Sequence, residues 1–175
     1  RRPERRALDT RQAFVLTVAV WVGLSGFGAL PFLIGEPDLG WTDAIFESVS
    51  GITTTGSTVI VGLDGLPAGT NLWRGMLNWI GGLGIAFVVM IFLPIMRVGG
   101  MQFFRTEGFD TLGKILPRAA DIARALLRVY TLLTVACVGT YLAAGMAPLD
   151  ALVNGAATIA TGGFSPADAS FGKYP

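Results

Sequence analysis

The stretch "SGITTTGSTVI", Ser50 to Ile60, decides how the rest of the chain is read. Thr53, Thr54, Thr55, Gly56, Ser57 and Thr58 follow one another in a chain of 175 residues that is 52% hydrophobic and only 14% charged. Such a run is out of place in a chain whose mean hydropathy is +0.60, well above that of an ordinary water-soluble domain. Its meaning depends on what flanks it.

Three uncharged runs, Gln12 to Gly35, Gly75 to Met96 and Val129 to Leu149, each exceed the ~20 residues that cross a ~30 Å hydrocarbon core as helix. The first is long and carries Trp21 and Pro31, which argues against a cleaved signal peptide. The chain opens on Arg1 and stops at Pro175 just after a polar loop begins, so it reads as a piece of something longer. With no histidine, His-based acid/base chemistry and Ser-His triads are excluded for this stretch. The single Cys137 lies mid-span and reads as a packing residue.

Charge gives the topology. Arg1, Arg2, Arg5, Arg6 and Arg11 precede the first span, and Arg97, Arg105, Lys114, Arg118, Arg124 and Arg128 lie between the second and third. Only Arg74 and Lys173 fall on the other side, so the positive-inside rule puts the N-terminus and the 98–117 loop in the cytoplasm. The basic clusters suit anionic lipid headgroups, and a net charge of +1 gives no reason to expect a nucleic-acid partner. Pro117 to Arg128 reads as the amphipathic start of the third long helix. The external 36–73 connection carries Glu36, Asp38, Asp43, Glu47 and Asp64, which facing outward would attract cations.

That connection is too long to be structureless. Thr42-Asp43 offers a helix N-cap and a negative first turn, and a short helix follows until Gly51 interrupts it. Nine residues make about 13 Å of helix, half a bilayer, so a half-helix followed by a hydroxyl-rich strand predicts a re-entrant hairpin. Irregular backbone at membrane depth survives only against protein or water. The C-terminal end of such a helix, about −0.5 of an elementary charge, favours a cation.

Residues 42–60, "TDAIFESVSGITTTGSTVI", align without a gap on 149–167, "LDALVNGAATIATGGFSPA". Asp43 meets Asp150, Ala44 meets Ala151, Ile52 meets Ile159, Thr54 meets Thr161 and Gly56 meets Gly163. Two equivalent loops on one side of the membrane predict one shared path.

"FESVSGITTTGSTV", "NWIGGLGIAFVVMIFLPIMRVGGMQFFRTE" and "ATIATGGFSP" resemble the Trk/Ktr/HKT potassium transporter superfamily, in its bacterial TrkH-like branch, over nearly the whole chain. The resemblance implies an all-α integral membrane fold of four helix, pore-loop, helix repeats placed pseudo-fourfold around one ion path. The first repeat would span 12–97, with helix 12–35, pore helix 43–51, filter 54–58 and helix 71–97. A partial second would span 118–175, with helix 118–146, pore helix 150–159 and filter 161–165. Potassium-channel filters replace the hydration shell of the ion with backbone carbonyls. By that likeness the carbonyls of Thr54, Thr55, Gly56, Thr161, Gly162 and Gly163 bind potassium, and Ser57, Thr58, Phe164 and Ser165 support the filter. Gly56 and Gly163 combine close ion approach with angles a side chain forbids. In the family glycine there goes with potassium, and serine at the first position with sodium permeation.

The resemblance further implies potassium uptake across the bacterial cytoplasmic membrane with no covalent chemistry and no bound cofactor. It also implies a homodimer and a cytoplasmic nucleotide-binding regulatory subunit of the TrkA kind. Rival readings are a sodium-permeable member of the superfamily, another secondary transporter, which would show inverted repeats, and a membrane enzyme, which needs a nucleophile and base. Among the remaining residues, Gly81, Gly82 and Gly84 suit close helix packing, with Gly82 and Ala86 a small-xxx-small pair. Asn78 lies one turn from Arg74 and is a candidate for function, although Arg74 could snorkel to the outer surface and Asn78 bond within the bundle. Trp21, Trp41, Trp73 and Trp79 read as interfacial or packing aromatics. Gly99-Gly100 reads as a helix end, near a possible regulatory contact.

Overall fold

The computed structural model describes the backbone of residues 10–96 and 115–174, with side chains over 11–89 and 121–174. The expected Gly99-Gly100 helix end, nearly all of the basic N-terminal segment 1–11 and most of the 98–117 loop lie outside the described residues. Within them the chain forms α1 (Thr10–Ile34), α2 (Trp41–Ile52), α3 (Ala68–Met96), α4 (Ile115–Ala143) and α5 (Pro148–Ile159). Three helices are long and apolar enough to cross a membrane, through Arg11–Ile34, Ala68–Val89 and Asp121–Ala143. Their outer faces expose large apolar residues such as Val15, Val18 and Phe27 on α1 and Leu132 and Val135 on α4, as lipid contact requires.

The boundaries depart from the sequence expectation where backbone chemistry overrides hydropathy. The second long helix starts at Ala68, not 71, because the Pro67 carbonyl accepts the Thr70 and Asn71 amides at 3.0 and 3.2 Å. The third ends at Ala143, not 146. Gly145 takes φ +93°, and the bonds from Met146 N to Tyr141 O and from Gly145 N to Leu142 O, both 3.0 Å, close a Schellman turn. The two short helices lack the expected side-chain caps. Gly40, not Thr42, precedes α2, and Ala147 precedes α5. Asp43 and Asp150 stand instead in the first turns, where their charge opposes the positive dipole end. Gly51 does not break α2, which runs on to Ile52.

The hydroxyl-rich stretch is not a strand, and no strand occurs among the described residues. Its polar groups bond the helix it has just left. Ser50 Oγ donates to Ser57 O at 2.5 Å, and Thr58 Oγ1 donates to both carboxylate oxygens of Glu47 at 2.8 and 2.9 Å. The chain therefore doubles back along α2, which is the hairpin the sequence predicts.

α2 packs against α1 and α3, and α5 packs against α3 and α4, so α3 lies between the two short helices. Glycines let it come close. A Cβ on Gly81 would run into the Ile52 carbonyl, and one on Gly82 would stand 2.8 Å from Ala160 Cα. Ala29, Phe32, Ala44, Ile52, Ile60, Leu63 and Leu77 form a buried core among α1, α2 and α3. Trp73 Nε1 donates to Gly28 O at 2.9 Å, tying α3 to α1, and Trp79 Nε1 donates to Thr134 Oγ1 at 3.0 Å, tying it to α4.

Candidate functional site

The loops that leave α2 and α5 have the same local structure, and it follows from where their amides bond. Thr54 N donates to Gly51 O at 3.0 Å and Thr55 N to Ser50 O at 2.9 Å. At the aligned positions Thr161 N donates to Thr158 O at 3.1 Å and Gly162 N to Ala157 O at 2.9 Å. Each loop then turns left-handed twice, Thr54 and Gly56 at φ +57° and +80°, Thr161 and Gly163 at φ +55° and +97°. A threonine in that region is strained, and finding it at both aligned positions marks a shared backbone path held by its surroundings. Left-handed residues at every second place undo the alternation of an ordinary strand, so successive carbonyls can line one side.

The structure brings the two loops together. A Cβ on Gly56 would collide with the Gly162 carbonyl, and Gly163 Cα is 3.4 Å from the same point. Among the described residues no donor bonds the carbonyls of Thr54, Thr55, Gly56, Thr161, Gly162 or Gly163, whereas the flanking Ser57 and Ser165 carbonyls are taken by Ser50 and Arg74. Thr55, Thr161 and Gly163 are exposed and Thr54 and Gly56 half-buried, so these oxygens are open to a partner from outside the chain. A cavity of about 240 Å³ borders the second loop, lined by Asn154, Thr158, Thr161, Gly163, Phe164 and Phe171 among others.

Behind the loops lies a buried polar network. Arg74 and Glu47 are both fully buried, and Arg74 Nε donates to Glu47 Oε1 at 2.8 Å. Arg74 does not snorkel outward, and Glu47 does not face an external solution. Arg74 Nη1 donates to Ser165 O at 2.8 Å, with Asn71 Oδ1 at 3.3 Å, and the guanidinium carbon stands 4.4 Å over the Phe164 ring. Val59 N donates to Glu47 Oε2 at 3.2 Å. In the orientation that matches donors to acceptors, Asn78 donates to Gly51 O at 2.8 Å and accepts from Phe164 N at 3.1 Å. Its side chain fills the space a Cβ on Gly162 would need.

The sequence reading puts Glu47 among outward-facing acids and leaves out Asn71 and the stacking of Phe164 under Arg74. A signal existed for one of them. Glu47 shares a face of α2 with Ala44, Ser48 and Gly51, the small residues that pack inward, and a charge on such a face calls for a buried partner. At the aligned position α5 carries Asn154, buried, with no partner for its Oδ1 among the described residues.

A second link joins the outer loops. Asp168 Oδ1 accepts the amides of Gly62 and Leu63 at 3.1 and 3.0 Å, Asp64 Oδ2 accepts the Asp168 amide at 3.1 Å, and Lys173 Nζ lies 3.0 Å from Asp64 and 3.3 Å from Asp150. The Lys173 hydrogen bond and the Asp168 amide hold Asp64 below its usual 3.8, while Asp64 and Asp150 raise Lys173 above 10.5 despite some desolvation. The Asp64 share of the link is complete above 3.8 and is lost as pH falls through its lowered value; the Lys173 share is complete below 10.5 and is lost as pH rises past its raised value. Amide exchange at Gly62 and Leu63, corrected for intrinsic rate, is expected to be slowest between those limits and to quicken with salt. Lys173→Met should quicken it at neutral pH, and unchanged protection would show that the exposed pairs do not hold the loops.

The sequence model of the TrkH family, described as a cation transport protein, matches residues 1–175. The chain belongs to the TrkH family. Curated relatives are similar over almost all of it. The Trk system potassium uptake protein TrkI of Halomonas elongata is 48% identical over 96% of this chain and 34% of its own length. The Trk system potassium uptake protein TrkH of Escherichia coli K12 is 48% identical over 99% of this chain and 36% of its own. The crystal structure of the potassium transporter TrkH from Vibrio parahaemolyticus matches with a TM-score of 0.84 at 43% identity, covering 99% of this chain and 34% of that one. The chain thus spans about a third of the length of the TrkH-family proteins it matches. Its fold is that of an all-α integral membrane protein of the TrkH type.

Proposed function

We propose that this chain supplies two adjoining quadrants of a potassium uptake pore, in which the carbonyls of Thr54, Thr55, Gly56, Thr161, Gly162 and Gly163 replace water around the ion. Ser57, Thr58, Phe164 and Ser165 hold those loops in place. The observation that carries this reading is the pair of equivalent left-handed loops meeting at Gly56 and Gly162, with six carbonyls that no donor among the described residues takes. Carbonyl dipoles suit a dehydrated alkali cation and need no covalent step or bound cofactor. The relatives' names support potassium as the substrate.

In this reading the N-terminus is cytoplasmic, the loops open outward from the cytoplasmic membrane, and lipid covers α1 and α4. The whole transporter works as a homodimer with a cytoplasmic nucleotide-binding subunit; the Trk system naming of the relatives supports the second partner.

The full-length protein is expected to restore growth of potassium-uptake-deficient bacteria at limiting potassium, and to take up potassium or rubidium well ahead of sodium in proteoliposomes. Equal uptake of sodium would favour the sodium-permeable reading. No cation flux at all would remove the pore.

A further inference from the structure

The side chains that touch both loops lie on one face of α3. Arg74 and Asn78, one turn apart and each fully buried, reach the first hairpin at Glu47 and Gly51 and the second loop at Ser165 and Phe164. Glu47 carries the link to the outer end of the first loop through Thr58 and Val59. We propose that Glu47, Arg74 and Asn78 are positioning residues that set the distance between the two quadrants, and through it the preference of the pore among alkali cations. This rests on the filter reading above and extends it to residues that do not touch the ion.

The argument is geometric first. A carbonyl ring discriminates between ions only if its oxygens keep their number and spacing, and loops held by their own amides alone could slide. Here the Ser165 carbonyl is drawn to the guanidinium at 2.8 Å, and the Phe164 amide to Asn78 at 3.1 Å. The second loop is therefore fastened to α3 on both sides of the Phe164–Ser165 peptide. Phe164 itself is 2% exposed and lies under the guanidinium, so packing adds to the two bonds that hold this loop to α3.

Charge supports the same assignment. Arg74 brings a full positive charge close to a proposed cation path, and among the described residues the Glu47 carboxylate at 2.8 Å is the anion paired with it. A planar guanidinium can bond Glu47, Asn71 and Ser165 in fixed directions at once. Lysine's three donors all radiate from one nitrogen, so it cannot reproduce bonds that leave the guanidinium from two separate atoms. The aligned position in α5 carries neutral Asn154, so this charged brace belongs to the first quadrant and its junction with the second.

The test uses the full-length transporter in proteoliposomes, with potassium and sodium fluxes measured on the same preparations. Arg74→Lys keeps the charge opposite Glu47 and gives up the simultaneous hold on Ser165; Thr58→Val leaves the ion pair whole and releases the first loop. Each is expected to raise the sodium-to-potassium flux ratio by roughly tenfold, the scale of one charge-assisted hydrogen bond. That ratio does not depend on how many molecules fold, so a purely structural role would lower both fluxes together and leave it unmoved. If Arg74→Lys fails to accumulate, Thr58→Val decides alone. A potassium-selective wild type with unchanged ratios in the measurable variants overturns the brace and leaves the filter reading standing. A wild type that passes cations without potassium preference overturns the brace and the potassium assignment together, and a wild type with no cation flux overturns the filter reading as well.

Discussion

Arg74→Met is expected to be among the most destabilising single changes in these residues, costing about 3–5 kcal/mol, because it leaves the fully buried Glu47 carboxylate without its cation. Glu47 would keep the Thr58 hydroxyl and the Val59 amide, but two neutral donors do not offset a full charge away from water. The double variant Glu47→Gln/Arg74→Met removes both charges and keeps an acceptor for Thr58. It is therefore expected to be more stable than Arg74→Met alone, with a coupling energy of about 2 kcal/mol or more in a double-mutant cycle. Unfolding of the purified full-length protein in detergent would measure it. Additive losses would mean that the two charges, 2.8 Å apart, are not coupled, and the buried-pair reading would fail.

Gly56→Ser is expected to have the largest effect on transport. The residue would have to hold φ +80° with a side chain, at about 1–2 kcal/mol. Its Cβ would also press into the Gly162 carbonyl, so the loops must part. Strain and displacement together are expected to lower potassium uptake by about tenfold or more and to weaken discrimination against sodium. Gly163, at φ +97°, meets nothing within 4 Å among the described residues. In a pseudo-fourfold pore the next quadrant would stand there as Gly162 stands against Gly56, so Gly163→Ser in the full-length protein is expected to be as damaging. A mild Gly163→Ser beside a severe Gly56→Ser would argue against that arrangement.

The membrane architecture was legible in the sequence because it depends on local properties. Each span announces itself by hydropathy over some twenty residues, and the re-entrant loops by Thr and Gly where helix formers are missing. The repeat was legible for the same reason. Thr54 and Thr161, Gly56 and Gly163 are matched letters in the sequence and matched left-handed residues in the structure. Helix ends were less well read, since Gly145 and Pro67 act through specific backbone bonds that hydropathy does not see.

The network behind the loops was misread because its members are distant in sequence. Arg74 and Glu47 are 27 residues apart, and Arg74 and Ser165 are 91 apart. From the sequence, Arg74 reads as able to stretch to the outer water, and a buried anion is a second course that the sequence does not reveal. Packing chose the second. α3 lies between α2 and α5, which closes the route to solvent and puts a carboxylate within reach. Glu47 was counted among outward-facing acids for the same reason, since its direction depends on how α2 is rotated.

By itself the sequence determined that this chain is helical, that among the described residues three of its helices are long and apolar enough to cross a membrane, and that it carries two copies of one loop built from glycine and hydroxyl residues. Hydrophobic length and backbone freedom are properties of short stretches, and short stretches can be read as letters. Only the tertiary structure decided that the copies touch, and that a buried arginine and asparagine on the helix between them fasten one to the other. Those facts rest on close distances between segments far apart along the chain, and such distances exist only once the helices have packed.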